Sequence, residues 1–445
     1  MKQLTRTELL KDAAKAAGVA AVAGSGGALR AASAYGATDA DQLSEALKGT
    51  LTVWQHQSPI YNKNYAQLGQ AFMKKHPQVK INNLYIPYAQ FESKALIAFT
   101  SGQAPDIIKL GAWDIANYAS KGLISPVDYH LLGYSSSHAF ESAYAPGALG
   151  ALTYSNQVYG LPIDYNSLFL FYRRDHFEQA GLDPDKPPTT WEQVAQYAQK
   201  LTQRDSSGNL TRAGFQLWYD LPIWDFLNFI ALPAGAGGGV LGPNNQGALS
   251  TPAGIKALTW YGNLSNVWKV ASPKFTDPNF NYGQIANGKA SMSISANFAV
   301  ALIAALGKIK LGKEFDVAPM PQWATPKKHV VSGYSWAWLV SKKSRNPAAA
   351  WNFLRYLQNS SSVSSQLYVS DLITPIKGWQ TQKAAAGPGT QIVAKEIPFT
   401  TYGPTLPQWA QMAQQLSNNL VALALGQKSP TQAAGDFDNA MKRIA

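Results

Sequence analysis

Between residues 49 and 108 the chain alternates two kinds of hydrophobic periodicity, and that alternation restricts its fold more than any other feature. Leu51-Thr52-Val53-Trp54 is a short β-rich run, introduced by Gly49-Thr50. Tyr61, Tyr65, Leu68 and Phe72 then recur at helical spacing, and the pattern stops at His76-Pro77. Val79-Lys80-Ile81 predicts a second strand, Phe91 to Phe99 a helix closed by Gly102, and Pro105-Asp106-Ile107-Ile108 a third strand. Strand, helix, strand, helix, strand within sixty residues is the βαβ pattern, which predicts an α/β lobe with a parallel sheet.

One such lobe does not use up 445 residues, about three times a typical domain, so two or more are expected. With 46% hydrophobic and 14% charged residues the chain can fill large cores, which excludes a disordered protein. The second half carries its own helix signals. Thr189-Thr190-Trp191-Glu192 reads as a capping box ahead of Val194, Ala195, Ala198 and Leu201. Thr251-Pro252 and Asn346-Pro347 each place a cap residue before proline at the first helical position. Residues 235–247 are Gly- and Asn-rich without Gly-Lys-Ser/Thr, which predicts turns rather than a phosphate-cradling loop.

Several chemistries are excluded early. The chain has no cysteine, hence no disulfide, no Cys-ligated zinc and no lipid-modified cysteine anchor. Its six histidines, His56, His76, His130, His138, His176 and His329, form no metal-binding pair, so neither metal nor cofactor is expected. The net charge of +12 is scattered, with Lys342-Lys343-Ser344-Arg345 the densest cluster, and this predicts a solvated basic surface rather than a nucleic-acid site.

The first 34 residues read as an export signal. Lys2, Arg6, Lys11 and Lys15 precede the Ala- and Gly-rich stretch 16–29, and Ala32-Ser33-Ala34 supplies a small-x-small cleavage pattern. Thr5-Arg6-Thr7-Glu8-Leu9-Leu10-Lys11 resembles the twin-arginine export motif, with Thr7 in place of the second arginine, so the route, Tat-like or Sec, stays open. Cleavage near Ala34 would remove five basic and two acidic residues and leave +9. Elsewhere the longest apolar run, residues 296–306 interrupted only by Asn297, is too short to cross a bilayer. The expected location is secreted, in the periplasm or on the outer face of the cell membrane.

An ordered set of fragments resembles the extracellular solute-binding proteins of family 1, the maltose-binding type. They are Phe72-Met73-Lys74-Lys75-His76-Pro77; Ser101-Gly102-Gln103-Ala104-Pro105-Asp106-Ile107-Ile108; Ala119-Ser120-Lys121-Gly122-Leu123-Ile124; Val158-Tyr159-Gly160-Leu161-Pro162; Leu170-Phe171-Tyr172-Arg173-Arg174-Asp175; Asn287-Gly288-Lys289-Ala290-Ser291-Met292; Ala318-Pro319-Met320-Pro321; and Ser344-Arg345-Asn346-Pro347. The resemblance implies the two-lobed α/β periplasmic-binding-protein fold, type II, with a ligand cleft between lobes joined by a hinge. After a linker at 35–49, lobe 1 would comprise 50–163 and 318–360, and lobe 2 164–317 and 361–445. It further implies a monomeric, non-enzymatic subunit of an ABC importer, which captures a solute by lobe closure and passes it to a membrane permease.

A sugar presents apolar C–H faces and hydroxyl edges, so its binder needs aromatic rings beside planar polar side chains, placed just beyond strand ends. Trp54, Gln55 and His56 follow the first strand, and Trp113-Asp114 the third. Asp164-Tyr165-Asn166 lies at the expected hinge crossing. Trp218 and Asp220, with Trp224-Asp225 nearby, lie mid-chain. Asn297-Phe298 stands where the family often has a Gly-x-Trp loop, whose Trp is absent here. Gly333-Tyr334-Ser335-Trp336 matches a loop that usually faces the cleft. A neutral oligosaccharide is the expected ligand. The alternatives are the same fold holding a uronate, a glycerol phosphodiester (Tyr165, Tyr172, Arg173 and Arg174 being available) or a polyamine, and a secreted glycosidase using Asp114 and Asp164.

Overall fold

The computed structural model describes residues 47–58, 61–145, 147–219, 221–358, 373–377 and 388–444. The expected export signal, most of the expected linker and Asp220 lie outside them.

The predicted alternation is present. Gly49–His56 runs parallel to Val79–Ile86 over its full length and to Ile107–Gly111 through Val53 and Trp54. Helices Asn62–Lys75 and Tyr88–Thr100 make the connections. The first presses Tyr65, Leu68 and Phe72 into the core. Tyr61 sits just before that helix rather than in it. Trp336–Val340 joins antiparallel to Ile107–Gly111, and the short strand Leu161–Pro162 closes the far edge.

A second sheet is built around Asn166–Arg173, buried at every position. Met292–Ala296, Phe315–Ala318 and Val331–Tyr334 all pair with it antiparallel, and Thr400–Thr401 extends the edge. The expected division put 318–334 with the first sheet. Instead Gly333 and Tyr334 pair with Ser167 and Asn166, so the chain returns to the first sheet at Ser335. Residues 373–377, expected in lobe 2, bridge to Tyr165 on that side and also to Tyr144 on the first side of that division. Both differences are choices of hydrogen-bonding partner distant in sequence. Helices Pro252–Asn266, Trp409–Ala424 and Pro430–Ile444 cover the second half, and Asp438 accepts the Leu249 and Ser250 N–H groups, each at 2.9 Å. The apolar run 296–306 becomes the helix Phe298–Gly307, and no helix among the described residues is long and apolar enough to cross a membrane.

Local chemistry explains the element ends, twice differently from the sequence pattern. The capping box is shifted one residue: Thr190 Oγ1 accepts the Gln193 N–H at 3.1 Å and Gln193 Oε1 accepts the Thr190 N–H. Glu192 instead accepts the Ala324 N–H at 3.0 Å. Thr251 caps as expected, through the Gly254 N–H. Asn346 makes no side-chain cap and donates to the Thr50 carbonyl at 3.1 Å.

The Pro-Asp of the third strand acts as a rivet. Asp106 accepts the Thr52 N–H (2.9 Å), the Thr52 hydroxyl (2.8 Å) and the Ser344 hydroxyl (2.7 Å), tying the first and third strands to the turn after Trp336–Val340. Hydrogen bonds to a charged acceptor are each worth about 1.5–3 kcal/mol. Asp106→Ala is expected to lower unfolding free energy by about 3 kcal/mol, net of solvent replacement, read as a drop in urea midpoint at unchanged slope.

Candidate functional site

Side chains from both sheets converge where the chain crosses between them. Asp164, on the first crossing, is 1% exposed and accepts the backbone N–H of Trp336, on the return crossing, at 2.8 Å. The Ile163 N–H donates to the Trp336 carbonyl and the Ala112 N–H to Ser335, so the two crossings and the loop after the third strand are stitched together. Lys109, also 1% exposed, interrupts an apolar strand. Its ammonium lies 4.3 Å from the Tyr61 ring centroid and 5.2 Å from that of Trp336. Burial drives the Lys109 ammonium down to about 8 and the Asp164 carboxyl up to about 6, and each charge partly offsets the other's shift. Burial, then the Lys109 charge, keeps His56 neutral well below the usual histidine range.

Above this floor the first half presents a wall of rings. Trp336 lies 4.6 Å from His56 and 5.2 Å from Trp113, between ring centroids. The Trp113 indole folds back over Gly111, where a Cβ would meet it at 2.2 Å; only glycine permits this pose. The Trp113 indole N–H donates to Glu92 Oε1 at 3.2 Å. Asp114, 8% exposed, is held well above the usual carboxylate range by burial and then by the charge of Glu92; burial also raises Glu92.

The second half supplies the facing wall. Trp218 and Trp224 stack at 4.4 Å and Phe280 stacks on Trp218 at 4.5 Å. Phe298 and Tyr334 lie 5.8 and 5.7 Å from Trp224. The walls touch: Tyr334 is 6.3 Å and Trp409 6.0 Å from Trp113. The cavity left between Trp113, Ile223, Tyr334, Tyr402 and Trp409 is about 20 Å³, room for about one water and not for a sugar. A solute therefore enters only if the halves separate.

Of the residues expected at the site, His56, Trp113, Asp114, Asp164, Trp218, Phe298, Tyr334 and Trp336 meet here, with Asn166 and Gly333 in the backbone pairing beneath. A Cβ at Gly333 would lie 2.6 Å from the Asn166 carbonyl. Gln55 is buried on the opposite strand face and donates to Asn83 at 3.4 Å. Trp54 packs under the helix Tyr88–Thr100, in a separate groove with Leu84, Lys94 and Ile97. Tyr165 bridges to Ile373 and faces Tyr402. Asn297 is wholly buried at the start of the helix Phe298–Gly307. Tyr88, Glu92, Lys109, Phe280 and Trp409 were not anticipated. Lys109 carried a legible signal, a charge inside Ile107-Ile108-Lys109-Leu110; Trp409 carried none. Arg173 and Arg174, considered for anions, are consumed internally, by Asp175 at 2.6 Å and by Asp185 and Asp316 at 2.6 and 3.3 Å.

The sequence matches the bacterial extracellular solute-binding protein family over residues 58–363. The chain belongs to that family. Among curated relatives, this solute-binding protein is 26% identical over 420 residues to the sn-glycerol-3-phosphate-binding periplasmic protein UgpB of Escherichia coli K12, covering 88% of this chain and 91% of the relative. It is 25% identical over 435 residues to UgpB of Pectobacterium atrosepticum, covering 94% and 92%. In fold it is similar to an ABC transporter solute-binding protein of Thermotoga lettingae bound with α-D-tagatose: TM-score 0.79, 23% identity, 89% of this chain and 100% of that one. It is also similar to UgpB of Mycobacterium tuberculosis in complex with glycerophosphocholine: TM-score 0.77, 16% identity, 89% and 98%. These neighbours share the type II solute-binding architecture.

The Asp164 shift has a testable sign. A carboxyl whose value is raised from 3.8 to about 6 by folding favours the folded state at low pH. That contribution is complete below about 4 and is lost as pH rises through about 6, amounting to about 3 kcal/mol for roughly two pKa units. Unfolding free energies measured by urea from about pH 4 to 7 should therefore show Asp164→Asn gaining on the wild type as pH rises; a pH-independent difference contradicts the assignment.

Proposed function

We propose that this solute-binding protein captures a carbohydrate free of anionic groups between its two halves, without chemical turnover, and hands it to the membrane permease of an ABC importer. The observation that carries this reading is the pairing of indole and phenyl faces (Trp113 and Trp336 against Trp218, Trp224 and Phe280) with planar polar groups at the same place. Ring faces suit the C–H surfaces of a sugar, and carboxylate oxygens accept its hydroxyls. The internal pairing of Arg173 and Arg174 weighs against a phosphate or uronate, although the UgpB relatives are named for sn-glycerol-3-phosphate.

A glycosidase would need two carboxyl groups across a sugar from one another. Asp164 is committed to the Trp336 N–H and to Lys109, which removes it from the Asp114–Asp164 pair, and Glu92 and Asp114 are neighbours on one wall and do not face each other across the cleft. The two sheets are the cores of two lobes, and the crossings at 163–165 and Ser335 form the hinge. Export by the first 34 residues places the lobes outside the cytoplasm, where the protein works as a monomer.

A disaccharide has about two dozen heavy atoms, and at about 0.3 kcal/mol each these give about 7 kcal/mol, a micromolar dissociation constant. A thermal-shift screen of saccharides, uronates, glycerol phosphodiesters and polyamines tests the class. Ligand at about a hundred times its dissociation constant adds about 2.7 kcal/mol, so one saccharide group should raise the melting temperature and remain chemically intact. A shift confined to phosphodiesters or polyamines overturns the carbohydrate assignment. For the saccharide that binds, Trp113→Ala and Trp224→Ala should each weaken calorimetric affinity by about tenfold or more.

A further inference from the structure

One corner of the cleft has a charge arrangement that a neutral sugar does not complete. Glu92 comes from the helix Tyr88–Thr100 and Asp114 from the turn after the third strand. The Trp113 indole N–H reaches Glu92 at 3.2 Å. Asp114 is 8% exposed, and its Oδ2 has no hydrogen-bond partner among the described residues. No Lys, Arg or His forms an ion pair with either carboxyl among the described residues. The buried cation of the cleft floor, Lys109, is engaged with Asp164 and the Tyr61 and Trp336 rings. The groups facing the pair from the packed elements are neutral aromatics. They are Tyr88, one turn before Glu92 on its own helix, Trp113, and Tyr118 of the helix Ile115–Ser120.

Two neighbouring carboxyls in such a place repel one another, and burial penalises both charges; the upward shifts of Glu92 and Asp114 agree. Sugar hydroxyls would donate hydrogen bonds here but leave that repulsion standing. An ammonium group removes it, donates up to three hydrogen bonds, and is attracted by surrounding ring faces. We propose that the Glu92–Asp114 corner is a subsite for a protonated amine, and that the captured carbohydrate is an amino sugar or a short oligosaccharide bearing one. The inference rests on the carbohydrate reading above and narrows it.

The test is a set of matched pairs titrated calorimetrically near neutral pH into the purified protein: glucosamine, galactosamine, mannosamine and their short oligomers, each against its neutral or N-acetylated counterpart. In at least one pair the amine should bind about tenfold tighter. Glu92→Gln, which keeps shape and a hydrogen-bonding amide, should cut the amine advantage to within about threefold. Should the neutral member bind as tightly in every pair that binds, the amine subsite is wrong while the carbohydrate reading stands. Should no saccharide of either kind bind, both fall. Unchanged amine preference in Glu92→Gln also overturns the assignment.

Discussion

The architecture turns on one hydrogen bond between two places where the chain changes sheets. Asp164 leaves the first sheet, Trp336 re-enters it, and the carboxylate of one accepts the backbone N–H of the other. A buried carboxylate is costly, and two partners offset the cost here: that N–H and the Lys109 ammonium. Lys109 is itself tolerated because Tyr61 and Trp336 offer it their ring faces. Take away any member and another is left buried without compensation. The floor of the cleft is thus a small cooperative unit, and the aromatic walls are positioned by it: Trp336 is part of the floor and also touches Trp113 and His56.

The parts legible in the sequence were those governed by local periodicity. Strand, helix and strand between Gly49 and Gly111 follow from apolar spacing, and Thr251 caps its helix because threonine before proline does so wherever a helix begins. Errors arose where two neighbouring residues could serve equally. Thr189-x-x-Glu192 and Thr190-x-x-Gln193 are equivalent as patterns, and the contact of Glu192 with the Ala324 amide decided between them. Asn346 had the right chemistry for a cap but found the Thr50 carbonyl closer at hand.

The site was legible as a vocabulary of residues more than as an arrangement. Trp and Asp beyond the ends of strands pointed to Trp113, Asp114 and Trp336, and the structure brings the two indoles within 5.2 Å with Asp114 buried beside them. The same rule marked Trp54, which sits two positions before His56 on the same strand face but far enough back to be covered by the helix Tyr88–Thr100. Position along a strand, not which face it is on, separated the two. Trp409 reaches Trp113 from a helix almost three hundred residues later in the chain, and no local pattern announces a contact of that range. Arg173 and Arg174 show the converse: side chains whose type suggested a ligand are spent on Asp175, Asp185 and Asp316.

The meeting of indoles across the cleft also has an optical side. Trp113 and Trp336 belong to one wall, Trp224 and Trp409 to the other, and their rings are linked by contacts of a few ångströms through Tyr334 and directly. Neighbouring indoles in so tight a set exchange excitation energy, and separating the walls would wet several of them at once. The protein therefore carries an intrinsic chromophore array whose emission colour and anisotropy report the angle between its halves, without any label being attached.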